Sequence, residues 1–146
     1  MTLLLALRMA GTSLLVLSIF HLVLWRALDW GREIDRLSPL TARVFAVHTF
    51  FVAFVLFALG LLSLVAPHLL LAPSDLARLL LGTIVVFWMA RLILQPLVFD
   101  RLMRAGWTRS VPLRVGANVL WLGYVVIYGL ALRQQLTQNA PAVIAP

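Results

Sequence analysis

The chain has 146 residues, of which 63% are hydrophobic and only 12% charged, and its formal net charge is +7 at pH 7. A water-soluble domain of this length needs far more polar surface to cover its core, so the solvent for most of this chain is lipid. The positive charge lies beside apolar runs, which fits membrane topology and anionic headgroups rather than nucleic acid. The absence of cysteine excludes disulfides, thiolate ligands and thiol nucleophiles together.

Four segments carry the roughly 20 predominantly apolar residues that a transmembrane helix needs. The first is expected over about residues 4–25. It has no basic stretch ahead of its apolar run and no small-residue cleavage site after His21, so it reads as a retained helix rather than a signal peptide. DWGREIDRLSPLTAR (29–43) follows, with acids and arginines alternating. Glu33 and Arg36 have helical i,i+3 spacing, and Trp30, Ile34 and Leu37 share an apolar face, which predicts a short interfacial helix. Ser38-Pro39 is an N-cap and first-turn pair, so the second span is expected over about 39–66, ended by Pro67. HLLLAP makes a turn in which His68 is expected to be solvated.

Ser74 or Asp75 caps the third span, expected over about 75–99. DRLMRAGWTRS forms a second arginine-rich loop, and Ser110 is the expected cap of a fourth span over about 111–133. The tail, 134–146, has no helical period and is expected to be loose. With so little sequence outside the spans, the expected fold is all-α, a membrane-spanning four-helix bundle with short loops.

Orientation follows from arginine, since all 12 basic residues are Arg. That usage, with no Lys, suggests a GC-rich bacterial genome. Arg26, Arg32, Arg36 and Arg43 flank the first loop and Arg101, Arg104, Arg109 and Arg114 the third, whereas Arg8, Arg78 and Arg133 lie at the opposite ends. Both arginine-rich loops are therefore expected on the cytoplasmic side of a bacterial inner membrane, with both termini outside.

Ionisable and amide groups within spans are the functional candidates. At a helical rise of about 1.5 Å per residue, His21 and His48 each lie about 7 Å inside the cytoplasmic ends of their helices. Gln95 and Asn118 lie at a similar depth, and Arg91 is about 13 Å from the interfacial Asp100. Every helix thus offers a polar group to one layer. Arg91 and Gln95 share a face with Trp88 one turn earlier, and Trp88 is expected to stack on the guanidinium. Arg91 is expected to point inward, to Gln95, Asn118, His21 or a bound anionic group, rather than snorkel toward headgroups. Pro96 removes a backbone donor and is expected to kink the third span. On the second span, Ala46, Ala53 and Gly60 recur every seven residues as a close-packing stripe, with His48 nearly opposite. Histidines at matched depth on antiparallel neighbours could ligate a b-type haem through His21 and His48. There is no HxxxH, HxxE or paired carboxylate for a metal, no carboxylate inside a span for proton-coupled transport, and no triad-like spacing.

WGREIDRLSPLTARVF, from Trp30, and FWMARLILQPLVFD, from Phe87 to Asp100, resemble stretches of a family of uncharacterised four-helix bacterial integral membrane proteins. The resemblance runs from the first loop through the fourth span. It implies a small polytopic membrane protein without a particular activity, and places Arg32, Glu33, Arg91, Gln95 and Asp100 in its motifs. Taken together, the expected function is a non-enzymatic subunit or self-associating scaffold of a membrane complex, whose partners are lipid and other membrane proteins or itself. A haem- or quinone-associated redox subunit using His21 and His48 is the alternative. A lipid- or small-molecule-binding or transport protein lined by Arg91 and Gln95 is the third reading.

Overall fold

The computed structural model describes residues 2–27, 31–99 and 111–138, without the side chains of Leu24, Trp25, Ala27, Arg32, Phe99 and residues 111–114. Among these residues there is no strand. The helices are α1 (Thr2–Ala27), α2 (Gly31–Ile34), α3 (Pro39–Val65), α4 (Pro67–Leu71), α5 (Asp75–Leu94) and α6 (Val111–Gln138), with a π-helical turn over Gln95–Phe99 after α5. Four of them are long and apolar enough to cross a membrane: Thr2–Val23, Pro39–Val65, Asp75–Val98 and Val115–Gln138. The chain is all-α, as its composition requires. Two compact units make it up, one over Leu4–Pro67 and one built on the chain from His68 onward.

Helix starts follow local chemistry. Ser38 accepts a hydrogen bond from the Thr41 amide at 3.2 Å, with Pro39 in the first turn of α3. Ser74, rather than Asp75, caps α5 by accepting from the Ala77 amide at 3.1 Å. Asp75 instead pairs with Arg78 along the first turn. The expected interfacial helix is only Gly31–Ile34, followed by a turn. Arg36 reaches Glu33 at 3.5 Å there, but both are exposed, so the pair contributes little stability.

In the first unit, α1 and α3 are antiparallel, because Gly11 meets Gly60 and Leu64 while Ser18 meets Ala53. The contact is backbone on backbone. A Cβ placed on Gly11 would lie 2.6 Å from the Leu64 amide nitrogen and 2.7 Å from the Gly60 carbonyl oxygen. Seven residues along α1, the Ser18 hydroxyl donates to the Ala53 carbonyl at 2.7 Å in a buried position. Leu7, Ala10, Leu14 and Ser18 form the buried stripe of α1, and Ala53, Leu56, Gly60 and Ser63 that of α3. The small-residue stripe therefore ends at Ala53, because Ala46 is exposed.

In the second unit, α5 and α6 pack along one seam. Ala77, Leu81, Ile84, Trp88 and Gln95 are buried on α5, and Trp121, Tyr124, Tyr128, Ala131 and Gln135 on α6. These spacings of three, four and seven are those of a helix presenting one face to a neighbour. α6 runs to Gln138, five residues beyond the expected end at 133. Gln135, fully buried, explains the extension: its side-chain amide donates to the carbonyls of Leu70 at 2.9 Å and Ala72 at 2.8 Å. Those carbonyls close α4, a turn of helix where the sequence suggests only a loop, and the last turns of α6 are tied to them. The rest of the expected tail and the expected Ser110 cap lie outside the described residues.

The π-turn begins one residue before Pro96, where the missing amide interrupts the regular ladder. Outward faces are apolar nearly throughout, with Val86, Leu79 and Val119 all strongly exposed. A surface of that kind belongs against lipid.

The glycine contact gives a prediction. Gly11→Ala must force α1 and α3 apart and is expected to lower stability by about 1–3 kcal/mol, the ordinary cost of overpacking. Gly82→Ala is the control, because nothing lies within 4 Å of a Cβ there; it should leave stability unchanged or raise it by up to about 1 kcal/mol. Thermal unfolding of the two variants in detergent distinguishes them, and equal melting temperatures would remove the backbone contact as the pin.

Candidate functional site

The polar groups of α5 and α6 converge on one cluster. Trp88, Arg91 and Gln95 stand at i, i+3 and i+7 on α5, and Asn118, Trp121 and Tyr124 at i, i+3 and i+6 on α6, so each set occupies one face. Arg91 lies with its guanidinium carbon 5.2 Å from the centre of the Trp121 ring. Trp88 stacks on Trp121 with centroids 5.2 Å apart and planes 17° from parallel, and its ring is 4.4 Å from Tyr124. From its spacing alone, Trp88 is expected against the guanidinium. The structure gives that position to Trp121, from the neighbouring helix, with Trp88 packed among Trp121, Tyr124 and Phe87.

This arrangement lets an arginine persist in an apolar environment. The guanidinium is weakly hydrated and planar, so an indole face offers it attraction worth about 0.5–2 kcal/mol as water is removed. The half-buried Arg91 lies against the α5–α6 seam. Around it, Gln95 is 2% exposed, Trp88 1% and Trp121 7%. The Gln95 and Asn118 side-chain carbonyls and the Trp88 and Trp121 indole N–H groups are buried without a hydrogen-bond partner among the described residues. Each such group in a low-dielectric site costs about 1–3 kcal/mol. The cluster thus holds two indole donors and two amides able both to donate and to accept, beside a cation.

The other expected members are placed differently. Asp100 lies outside the described residues. His21 is half-buried on α1, one turn beyond the buried Ser18. His48 is exposed on α3, turned away from the face that carries Ala53, Gly60 and Ser63. His68 is exposed on α4, as expected of a solvated residue. Among the described residues, no three His, Cys, Asp or Glu side chains come together as metal ligands would. Two residues escaped the sequence reading. Trp121 is legible in hindsight from its i+3 spacing to Asn118, whereas the role of Gln135 carries no local signal, because its partners are carbonyls 65 and 63 residues away.

Four membrane-length helices, with a cation–aromatic seam inside one antiparallel pair, define an all-α, multi-pass membrane protein. No protein-family model, curated protein or solved structure matches the chain.

Two predictions follow from this geometry. Arg91→Leu should insert at least as well as the parent, since arginine near the middle of a span costs about 2.5–3.5 kcal/mol on insertion-based scales. Once inserted, it should be less stable by about 1 kcal/mol, because Trp121 loses its cation. A variant as stable as the parent, measured by thermal unfolding in detergent, would mean that the side chain merely reaches for headgroups. The second concerns haem. Ligation needs both imidazoles on one slot, and His48 is exposed on the outward face of α3. Protein purified from haem-replete cells should therefore show no Soret band; a band abolished by His21→Ala or His48→Ala would establish the redox reading.

Proposed function

We propose that this protein is a non-enzymatic subunit, or self-associating scaffold, of a membrane complex in the bacterial inner membrane, with both termini outside and both arginine-rich loops in the cytoplasm. The observation that carries this reading is the outward face of α3. There His48 is exposed at a depth of about 7 Å, counted along the helical rise. It sits in a shallow groove with Arg43, Val44, Val47 and Phe51. Phe51 and Phe54 continue the same exposed surface, and Phe54 stacks with Phe50 at 6.5 Å. Lipid gains nothing from an imidazole at that depth, whereas a neighbouring helix can supply its hydrogen-bond partner and fill the groove with side chains. Aromatic residues around a polar centre are also what a helix-contact surface needs to bury area at low entropy cost.

The measurement is the native mass of the detergent-solubilised protein. The parent should travel as an oligomer or with a stoichiometric partner. Val47→Trp, which blocks the groove without touching the buried face of α3, should release the monomer. A parent that is monomeric at every detergent ratio and copurifies with nothing would contradict the proposal. Orientation is tested on this cysteine-free chain by single cysteines: one at Gln138 should react with an impermeant reagent in intact cells and one at Gly31 should not. Gly31 is suited to this because nothing lies within 4 Å of an added Cβ.

A further inference from the structure

The outward face of α3 also specifies what covers it, an inference that rests on the subunit reading above. Val44, Phe51, Ala58 and Val65 recur along it every seven residues. Val47, Phe54 and Leu61 each stand three residues after one of them, and all seven are exposed. In a heptad these are the a and d positions, the seam that one helix of a two-stranded coil offers to another. The residues that α3 buries, Ala53, Leu56, Gly60 and Ser63, fall at c and f in the same frame. One seam of α3 is thus used within the chain, and a second lies on its far side.

Apolar positions alone would suit lipid equally well. The polar residues beside the seam decide between the two. Copies of one chain insert with one orientation, so a pair made through α3 has a twofold axis along the bilayer normal and its α3 helices run parallel. In a parallel pair the residue at g meets the next heptad's e on the facing helix, beside the seam. Arg43 stands at g and His48, five residues on, at that e. Both line one groove with Val44, Val47 and Phe51, and both are exposed. Their chemistry is complementary: guanidinium only donates, whereas neutral imidazole keeps one nitrogen as an acceptor. The twofold axis makes this contact twice. Farther along α3 the g and e positions turn apolar, with Phe50, Val55, Phe57 and Leu62. A slip of one heptad would therefore set Arg43 and His48 against hydrocarbon, so the polar pair fixes the register.

We propose that the occupant of this face is a second copy of the chain. The two α3 helices pair in parallel over Val44–Val65, and Arg43 of each copy donates to His48 of the other.

Because the chain has no cysteine, single cysteines in the full-length protein test this in membrane vesicles. Copper phenanthroline serves as the oxidant that joins two thiols in a disulfide, and the product is read on a non-reducing gel. Val44→Cys, Val47→Cys, Phe51→Cys and Phe54→Cys should each give the dimer. Ala46→Cys, exposed at position c, should not. With the cysteine at Phe54, His48→Arg sets guanidinium against guanidinium and should abolish the dimer. Adding Arg43→His exchanges the two ends of the pair and should recover it. Equal yields at Ala46 and at the seam, or a His48→Arg dimer as strong as the parent's, would overturn the proposal. Failure of all four seam cysteines, while the native mass stays above that of the monomer, would overturn self-pairing and leave the subunit reading standing.

Discussion

A bilayer offers no hydrogen bonds, so any polar group carried into it must find its partner within the protein or its ligands. That constraint orders this chain more than any single contact. Backbone groups meet it by helix formation, and the described residues of the chain are almost entirely helical. Ser18, Arg91 and Gln135, which are not hydrocarbon, meet it in different ways in the two helix pairs.

In α1–α3 the solution is proximity. Two glycines let the backbones touch, and at that separation the Ser18 hydroxyl reaches a carbonyl on the facing helix. In membranes, where hydrophobic burial gives little net drive to helix association, close van der Waals contact and one interhelical hydrogen bond are the main attractive terms. In α5–α6 the solution is chemical. A guanidinium lies on an indole, a second indole stacks on the first, and Gln135 joins the far end of α6 to the carbonyls that precede α5. The first pair is held by what it lacks, side chains at Gly11 and Gly60. The second is held by large, amphipathic side chains whose polar edges turn inward.

Much of this was legible in the sequence because it rests on periodicity and on local caps. The four spans follow from apolar length, the starts of α3 and α5 from Ser38-Pro39 and Ser74, and the break at Pro96 from a missing amide. Arg91 and Gln95 could be placed in one polar layer because four residues separate them. What could not be read is whatever depends on the neighbouring helix. The choice of Trp121 over Trp88 as the platform for Arg91 is set by the register of α6 against α5. The extra length of α6 is set by carbonyls near residue 70. The end of the small-residue stripe at Ala53, rather than Ala46, reflects divergence of two helices that periodicity treats as parallel.

Above all, Trp88 and Gln95 of α5 and Trp121 of α6 face the seam between the two helices and not the lipid. Tryptophan fluorescence tests it most directly, in a variant whose Trp25, Trp30 and Trp107 are replaced by phenylalanine, so that only Trp88 and Trp121 emit. Reconstituted into vesicles of lipids brominated along the acyl chain, this variant should be quenched weakly, because both rings are buried in the protein. Addition of Val86→Trp, at a position 69% exposed, should produce strong quenching in the same lipids. Strong quenching of Trp88 and Trp121 alone would place the indoles in lipid and contradict the account.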